Sequence, residues 1–179
     1  MVSGDGAAEF LADHIRDIPD FPEPGVIFKD ITPLLADPQA FVAMVDAVTA
    51  PLLGRGITKV LAIEARGFIP GGPVASALGA GFVPVRKAGK LPWEVEREEY
   101  LLEYGTDLLE VHRDALGPGE RVVIIDDVLA TGGTASAAVR LARTLGADVV
   151  ACSFLIELAF LDGRAQLPGI EVNRLVTYR

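Results

Sequence analysis

One cysteine, Cys152, and two histidines, His14 and His112, are all that 179 residues contain of the soft and imidazole metal ligands. No disulfide framework can form from one thiol, and two histidines without an HExxH spacing offer no zinc set. Cys152 lies in the apolar run Val149 to Ile156 and reads as a small buried hydrophobe. Basic residues are also short, 16 against 25 acidic ones, giving a net charge of −9. Such a surface repels nucleic-acid phosphates, so no nucleic-acid partner is expected. Long apolar runs are missing as well. The longest, Val149 to Leu161, is interrupted by Ser153 and Glu157 and is too short to span a bilayer. The start, MVSGDGAAEF, has neither the basic beginning nor the apolar centre of a secretory signal. These absences point to a cytoplasmic protein with no membrane partner. With half its residues apolar, the chain has the length for one well-buried domain over residues 1–179.

What is present alternates. Phe10, Leu11, Ile15 and Ile18 fall on one helical stripe within Ala8 to Ile18, which Pro19 stops. The proline-rich stretch Pro19 to Gly25 is rigid and irregular, and the short apolar Val26 to Phe28 follows it. Asp37-Pro38 starts a helix, with Asp as N-cap and Pro at the first helical position; Phe41, Val45, Val48 and Leu52 mark its buried face. Strands are then predicted over Lys59 to Ile63, Gly81 to Val85, Val122 to Ile125, Val149 to Ile156 and Glu171 to Val176, with helices over Phe68 to Leu78 and Thr134 to Leu145. This order implies an α/β fold with a parallel sheet between helices. Residues Ala88 to Asp114 break the pattern, being acidic with short extended pieces. They read as an inserted loop or hairpin, and a connection that long is usually functional.

The densest chemistry lies in Val122 to Thr134. A β-branched strand ends in Asp126 and Asp127, and the Thr/Gly-rich turn Thr131-Gly132-Gly133-Thr134 then opens directly into a helix. Backbone N–H groups at that helix start favour a phosphate, and the two carboxylates beside them are acceptors for sugar hydroxyls. A ribose 5-phosphate meets both demands. The turn is not a Walker A loop, which needs GxxxxGK[ST], and no GxGxxG follows any strand. In open α/β sheets ligands bind beyond the carboxyl ends of the strands. There, successive strands deliver Arg66, then Arg86, Lys87 and Lys90, then the helix start, so an acidic protein gathers cations at its ligand edge. A polyphosphate substrate requires that.

In the form DDVLATGGT, residues 126–134 resemble the signature of the type I phosphoribosyltransferases, in particular the branch that uses adenine. The resemblance runs from Pro19 to about Glu157. It implies the type I phosphoribosyltransferase fold: a central, mainly parallel sheet flanked by helices, an N-terminal hood (about 1–35) and a flexible loop or hairpin over the active site (about 88–114). It also implies transfer of 5-phosphoribosyl from phosphoribosyl pyrophosphate to adenine, giving AMP and pyrophosphate. The segment Glu64-Ala65-Arg66-Gly67 resembles the family's pyrophosphate loop, with a non-proline cis peptide expected between Glu64 and Ala65. RKAGKLP, from Arg86, resembles the start of the loop that closes over the pyrophosphate. Thr131, Gly132, Gly133 and Thr134, with Ala130, are implied to hold the 5′-phosphate, and Asp126 and Asp127 the ribose. Val26, Ile27, Phe28 and Lys29 resemble the hood segment that reads the purine, with Phe28 stacking on one face and Val128 packing on the other. Glu103, in Leu102-Glu103-Tyr104-Gly105, matches the glutamate that handles the proton on the base, while Arg66, Lys87 and Lys90 would stabilise the leaving pyrophosphate. Mg2+ riding on substrate oxygens and a homodimer are implied as well. Three departures stand out: Lys29 where arginine is common, Pro70 where an aromatic is frequent, and Glu98 to Leu101 in place of a serine-containing stretch.

Two other readings stay open at this point. Another base could be the acceptor, although hypoxanthine-type enzymes usually carry an aspartate where Ala130 stands; xanthine is not excluded. A regulatory module that keeps the phosphoribosyl site without catalysis would need an added nucleic-acid-binding element, for which no basic surface is visible.

Overall fold

In a computed structural model, which describes residues 4–101 and 106–179, the N-terminal segment departs from the helical stripe. Helix α1 spans Gly4–Ala12 and stops there; Arg16–Pro19 is instead strand β1, paired antiparallel with β2 (Ile27–Asp30). Spacing alone cannot separate the two outcomes, because Ile15 and Ile18 suit either. Pairing across the ribbon decides it: Arg16 reaches Asp30 Oδ2 at 2.6 Å and Lys29 Nζ reaches Asp17 at 2.7 Å. The short helix α2 (Thr32–Ala36) and α3 (Pro38–Thr49) follow. Asp37 caps α3 as its type and position demand, accepting hydrogen bonds from the Gln39 and Ala40 amides at 2.9 and 2.8 Å. The buried face of α3 is Ala40, Met44 and Val48; Phe41 and Val45, expected inward, lie half-buried at its margin.

Seven strands form the main sheet: β3 (Lys59–Ile63), β4 (Gly81–Lys87), β5 (Val95–Leu101), β6 (Thr106–His112), β7 (Arg121–Leu129), β8 (Asp148–Leu158) and β9 (Glu171–Tyr178). Their order is β5-β6-β4-β3-β7-β8-β9, and β4, β3, β7, β8 and β9 run parallel. Alternation along the central strands sends side chains to two cores. Val122 and Ile124 pack on the side covered by α5 (Gly133–Thr144), whose Ala138, Leu141 and Ala142 are fully buried. Val123 and Ile125 pack on the side holding Met44 and Val48 of α3 and Val74 of α4 (Phe68–Leu78). Cys152 is buried among the first set, and burial pushes its thiol up to about 12, so it stays protonated.

The acidic stretch 88–114 forms an antiparallel hairpin, β5 with β6, that joins the sheet edge rather than merely projecting from it. Its attachment to β4 is short, through Arg86 opposite Glu110 and Lys87 opposite Leu109. Leu109 and Val111 anchor it in the core beside α5. Strand β7 also runs four residues past its expected end, so Asp126 and Asp127 belong to the strand itself. No described helix is long and apolar enough to cross a membrane.

Candidate active site

The carboxyl ends of β3, β4 and β7 and the hood segment enclose a cavity of about 580 Å³. Each element contributes what its local sequence dictates. From β2 and the residue before it come Val26 to Phe28 and Lys29; from the loop after β3, Glu64, Ala65 and Arg66; from β7, Asp126, Asp127 and Val128; from the turn and α5, Ala130 and Thr134. Lys87 lines it from β4. Arg86 and Lys90 stand just behind the wall, both on Glu64. Thr131, Gly132 and Gly133 form the turn but not the cavity lining, and Glu103 lies outside the described residues.

At the turn, α5 begins without a side-chain cap, and Gly132 is left-handed with φ of 85°. Its first amides thus lack intrahelical acceptors and carry the positive end of the helix dipole. The turn expected to hold a phosphate thus opens into a helix that begins one residue earlier than predicted, at Gly133.

The acidic pair is electrostatically asymmetric. Burial raises the Asp126 pKa well above the carboxylate range, and the charge of Asp127 beside it raises it further. Asp126 accordingly keeps its proton more tightly than a free acid. Asp127 is only 4% exposed and forms an ion pair with Arg66 through Oδ2. Oδ2 is itself buried and has this ion pair but no hydrogen bond. A hydroxyl entering the cavity would supply one. The Arg66 guanidinium also lies 5.0 Å from the centre of the Phe28 ring, which places it between the hood and the acidic pair.

The rim gathers the cations expected there, and each has an acidic partner that the sequence did not assign. Lys87 Nζ lies 3.1 Å from Asp107, and Arg86 Nε lies 3.2 Å from Glu64. Lys90 also pairs with Glu64, and the Lys87 amide donates to it at 3.0 Å. Burial alone would push the Glu64 carboxyl up, but the Lys90, Lys87-amide and Arg86 hydrogen bonds outweigh it and hold its pKa at about 2. The Glu64 pairings therefore support the fold at neutral pH, and this support fades as pH falls from the ordinary glutamate range through about 2. Any polyphosphate reaching this rim would have to compete with these carboxylates for the same cations. The Glu64–Ala65 peptide is cis, as expected for this loop.

Lys29 settles its own departure from arginine. Its ammonium turns to Asp17 and sits 3.8 Å from the centre of the Tyr178 ring, so its side chain anchors the hood to β9. Sequence reasoning placed Glu64 in the pyrophosphate loop without a role of its own and overlooked Leu158 and Tyr100; all three line the cavity. Tyr100 is 6% exposed and donates to Asp107 Oδ2 at 3.1 Å; burial, then Asp107, raises its pKa to about 12, so it remains a phenol. The available signal was an aromatic residue closing the acidic run Glu94 to Glu99. His14 bonds to the Phe10 carbonyl at 2.8 Å, away from the cavity lining.

Residues 40–167 match the family model described as the phosphoribosyl transferase domain, and the chain belongs to that family. An adenine phosphoribosyltransferase from Thermobifida fusca is 58% identical over 164 residues, covering 92% of this chain and 93% of the relative. The crystal structure of the adenine phosphoribosyltransferase from Rhodothermus marinus superposes with a TM-score of 0.92 at 53% identity, covering 96% of this chain and 98% of that one. The Saccharomyces cerevisiae enzyme, solved with an iminoaltritol bisphosphate and adenine, gives a TM-score of 0.91 at 39% identity, covering 96% of this chain and 99% of that one. Within the family the chain falls in the adenine phosphoribosyltransferase branch.

Proposed function

We infer that this chain transfers the 5-phosphoribosyl group from phosphoribosyl pyrophosphate to N9 of adenine, producing AMP and pyrophosphate in purine salvage. One observation carries the reading. A single cavity joins an aromatic hood segment, an acidic pair whose Asp127 is buried with an oxygen that receives no hydrogen bond, and an uncapped helix start. Those are sites for a base, a sugar diol and a phosphate.

The bond from the sugar's anomeric carbon to pyrophosphate breaks as the bond to N9 forms, leaving the sugar cationic on the way. Asp126 and Asp127 take the ribose hydroxyls, and the negative charge of the pair favours the cationic sugar. Amides of Thr131 to Thr134, with Ala130, hold the 5′-phosphate, so binding energy far from the reacting carbon positions it. Arg66, Arg86, Lys87 and Lys90 exchange their carboxylate partners for pyrophosphate oxygens. Main-chain groups of Ile27 and Lys29 read the purine edge beside Val26, Phe28 stacks on one face and Val128 packs on the other. Glu103 takes the proton released from the imidazole ring. The hairpin 88–114 acts as a lid, and closing it desolvates that carboxylate, raising its pKa toward the range useful for proton transfer.

Among the described residues no three of His, Cys, Asp and Glu converge on a metal-binding point. The donors fit a hard cation that arrives with its substrate: Mg2+ would be held by pyrophosphate and ribose oxygens and by water, with the acidic pair nearby. Bound there, it would neutralise charge on the leaving group. A cytoplasmic homodimer of single-domain subunits, each with a hood over about 1–35, completes the reading.

Incubating the protein with phosphoribosyl pyrophosphate, Mg2+ and adenine, hypoxanthine, guanine or xanthine separately tests it. AMP formation is expected with adenine alone; no nucleotide from any base would overturn the assignment. Two variants probe the roles. Phe28→Ala should raise KM for adenine by about 5- to 100-fold, the worth of one stacked base, and leave KM for phosphoribosyl pyrophosphate near wild type. Glu103→Gln should lower kcat by about 10²- to 10⁴-fold with the circular dichroism spectrum unchanged. A wild-type rate would remove Glu103 from the reaction.

A further inference from the structure

Behind the phosphate turn, two backbones meet almost without clearance. A methyl group added to Gly132 would stand 2.3 Å from the Gly163 carbonyl oxygen, and one added to Gly163 would stand 2.2 Å from the Ala130 carbonyl oxygen. Real carbon atoms do not approach that closely, so the turn 130–132 rests directly on the short helical turn Gly163–Gln166. Any shift of Gly163 toward the turn would therefore displace it.

Gly163 is held by its neighbour. Arg164 presents its fork to Glu157 at the end of β8: Nε contacts Oε1, and Nη2 donates to Oε2 at 2.9 Å. Its Nη1 donates to the Val172 carbonyl of β9 at 3.3 Å, so one guanidinium ties the turn to two strands. Glu157 is 6% exposed, and Arg174 approaches its Oε2 at 3.6 Å. Bidentate pairing of a buried carboxylate fixes direction as well as distance. None of these three charged residues lines the 580 Å³ cavity.

We propose that Glu157 and Arg164 are positioning residues for the 5′-phosphate: their bidentate pair clamps Gly163 against Gly132 and so sets the amides of the phosphate turn. The inference rests on the reading that this turn binds the 5′-phosphate. It separates a brace from general stability, because only ligands that use the turn should feel its loss.

Ribose 5-phosphate binding by calorimetry, together with KM for each substrate, tests it on the whole protein. Arg164→Ala should weaken ribose 5-phosphate and raise KM for phosphoribosyl pyrophosphate by about tenfold or more, since small misplacements of a binding group are costly. KM for adenine should stay within about twofold, and Arg164→Lys, which keeps the charge without the fork, should fall between Ala and wild type. Glu157→Gln carries the same measurement if Arg164→Ala fails to fold. Folded variants that bind ribose 5-phosphate as wild type does, or that lose both substrates equally, overturn the brace alone. A wild-type protein that does not bind ribose 5-phosphate removes the phosphate reading and the brace together.

Discussion

Asp127→Asn is expected to lower kcat/KM for phosphoribosyl pyrophosphate by about 10²- to 10³-fold, the usual consequence of deleting one preorganised electrostatic group from a transition state. Three effects act in the same direction. The amide replaces the Oδ2 that receives no hydrogen bond and would accept one from a ribose hydroxyl. It removes negative charge beside a sugar that turns cationic. It also releases Arg66, which now pairs with that carboxylate. One secondary effect has a definite sign: the Asp127 charge helps raise the Asp126 pKa, so its loss lets Asp126 ionise at lower pH. The loss of rate should therefore be accompanied by a shift of the acidic limb of the kcat/KM profile to lower pH. Steady-state kinetics across pH, on protein whose thermal unfolding matches wild type, reads both. A wild-type kcat/KM would take Asp127 out of the mechanism.

Gly132→Ala should damage both binding and fold. The residue has φ of 85°, where a side chain is strained, and its added methyl group would meet the Gly163 carbonyl oxygen at 2.3 Å. Backbone strain of this kind costs about 1–3 kcal/mol. In a chain of this size that lowers Tm by about 3–10 °C. Relief can come only by moving the turn off Gly163, which disorganises the phosphate amides. A rise of more than about tenfold in KM for phosphoribosyl pyrophosphate is expected, since a displacement of about 1 Å in a positioning group can cost that much or more. Thermal unfolding and substrate kinetics on one preparation check the pair of effects. An Ala variant with unchanged Tm and KM would show that the turn has slack which the backbone contact denies.

Local sequence carried the strand, turn and helix at the sheet's carboxyl edge well. Strand, acidic pair, turn and helix around Asp126 to Thr134 are adjacent in the chain, so short-range rules suffice to read them. Asp37-Pro38 and the Glu64–Gly67 loop were legible for the same reason. What escaped depends on contacts between distant residues. Arg16 to Pro19 matches a helical stripe, and only its pairing with Ile27 to Asp30 makes it a strand. Phe41 and Val45 have the right spacing for a core face, but the sheet surface beneath α3 accepts Ala40, Met44 and Val48 instead. The cations Arg86 and Lys87 were visible, whereas their partners Glu64 and Asp107 are brought to them only by the sheet and the hairpin. Tyr100 was hidden by the acidic residues before it, since composition reads that stretch as solvated while the fold buries the ring.

The most direct test is a crystal structure with AMP bound. The phosphate should lie on the amides of Thr131 to Thr134, the ribose hydroxyls on Asp126 and Asp127, and the adenine against Phe28. AMP bound elsewhere, with its phosphate off the α5 start, would contradict the account.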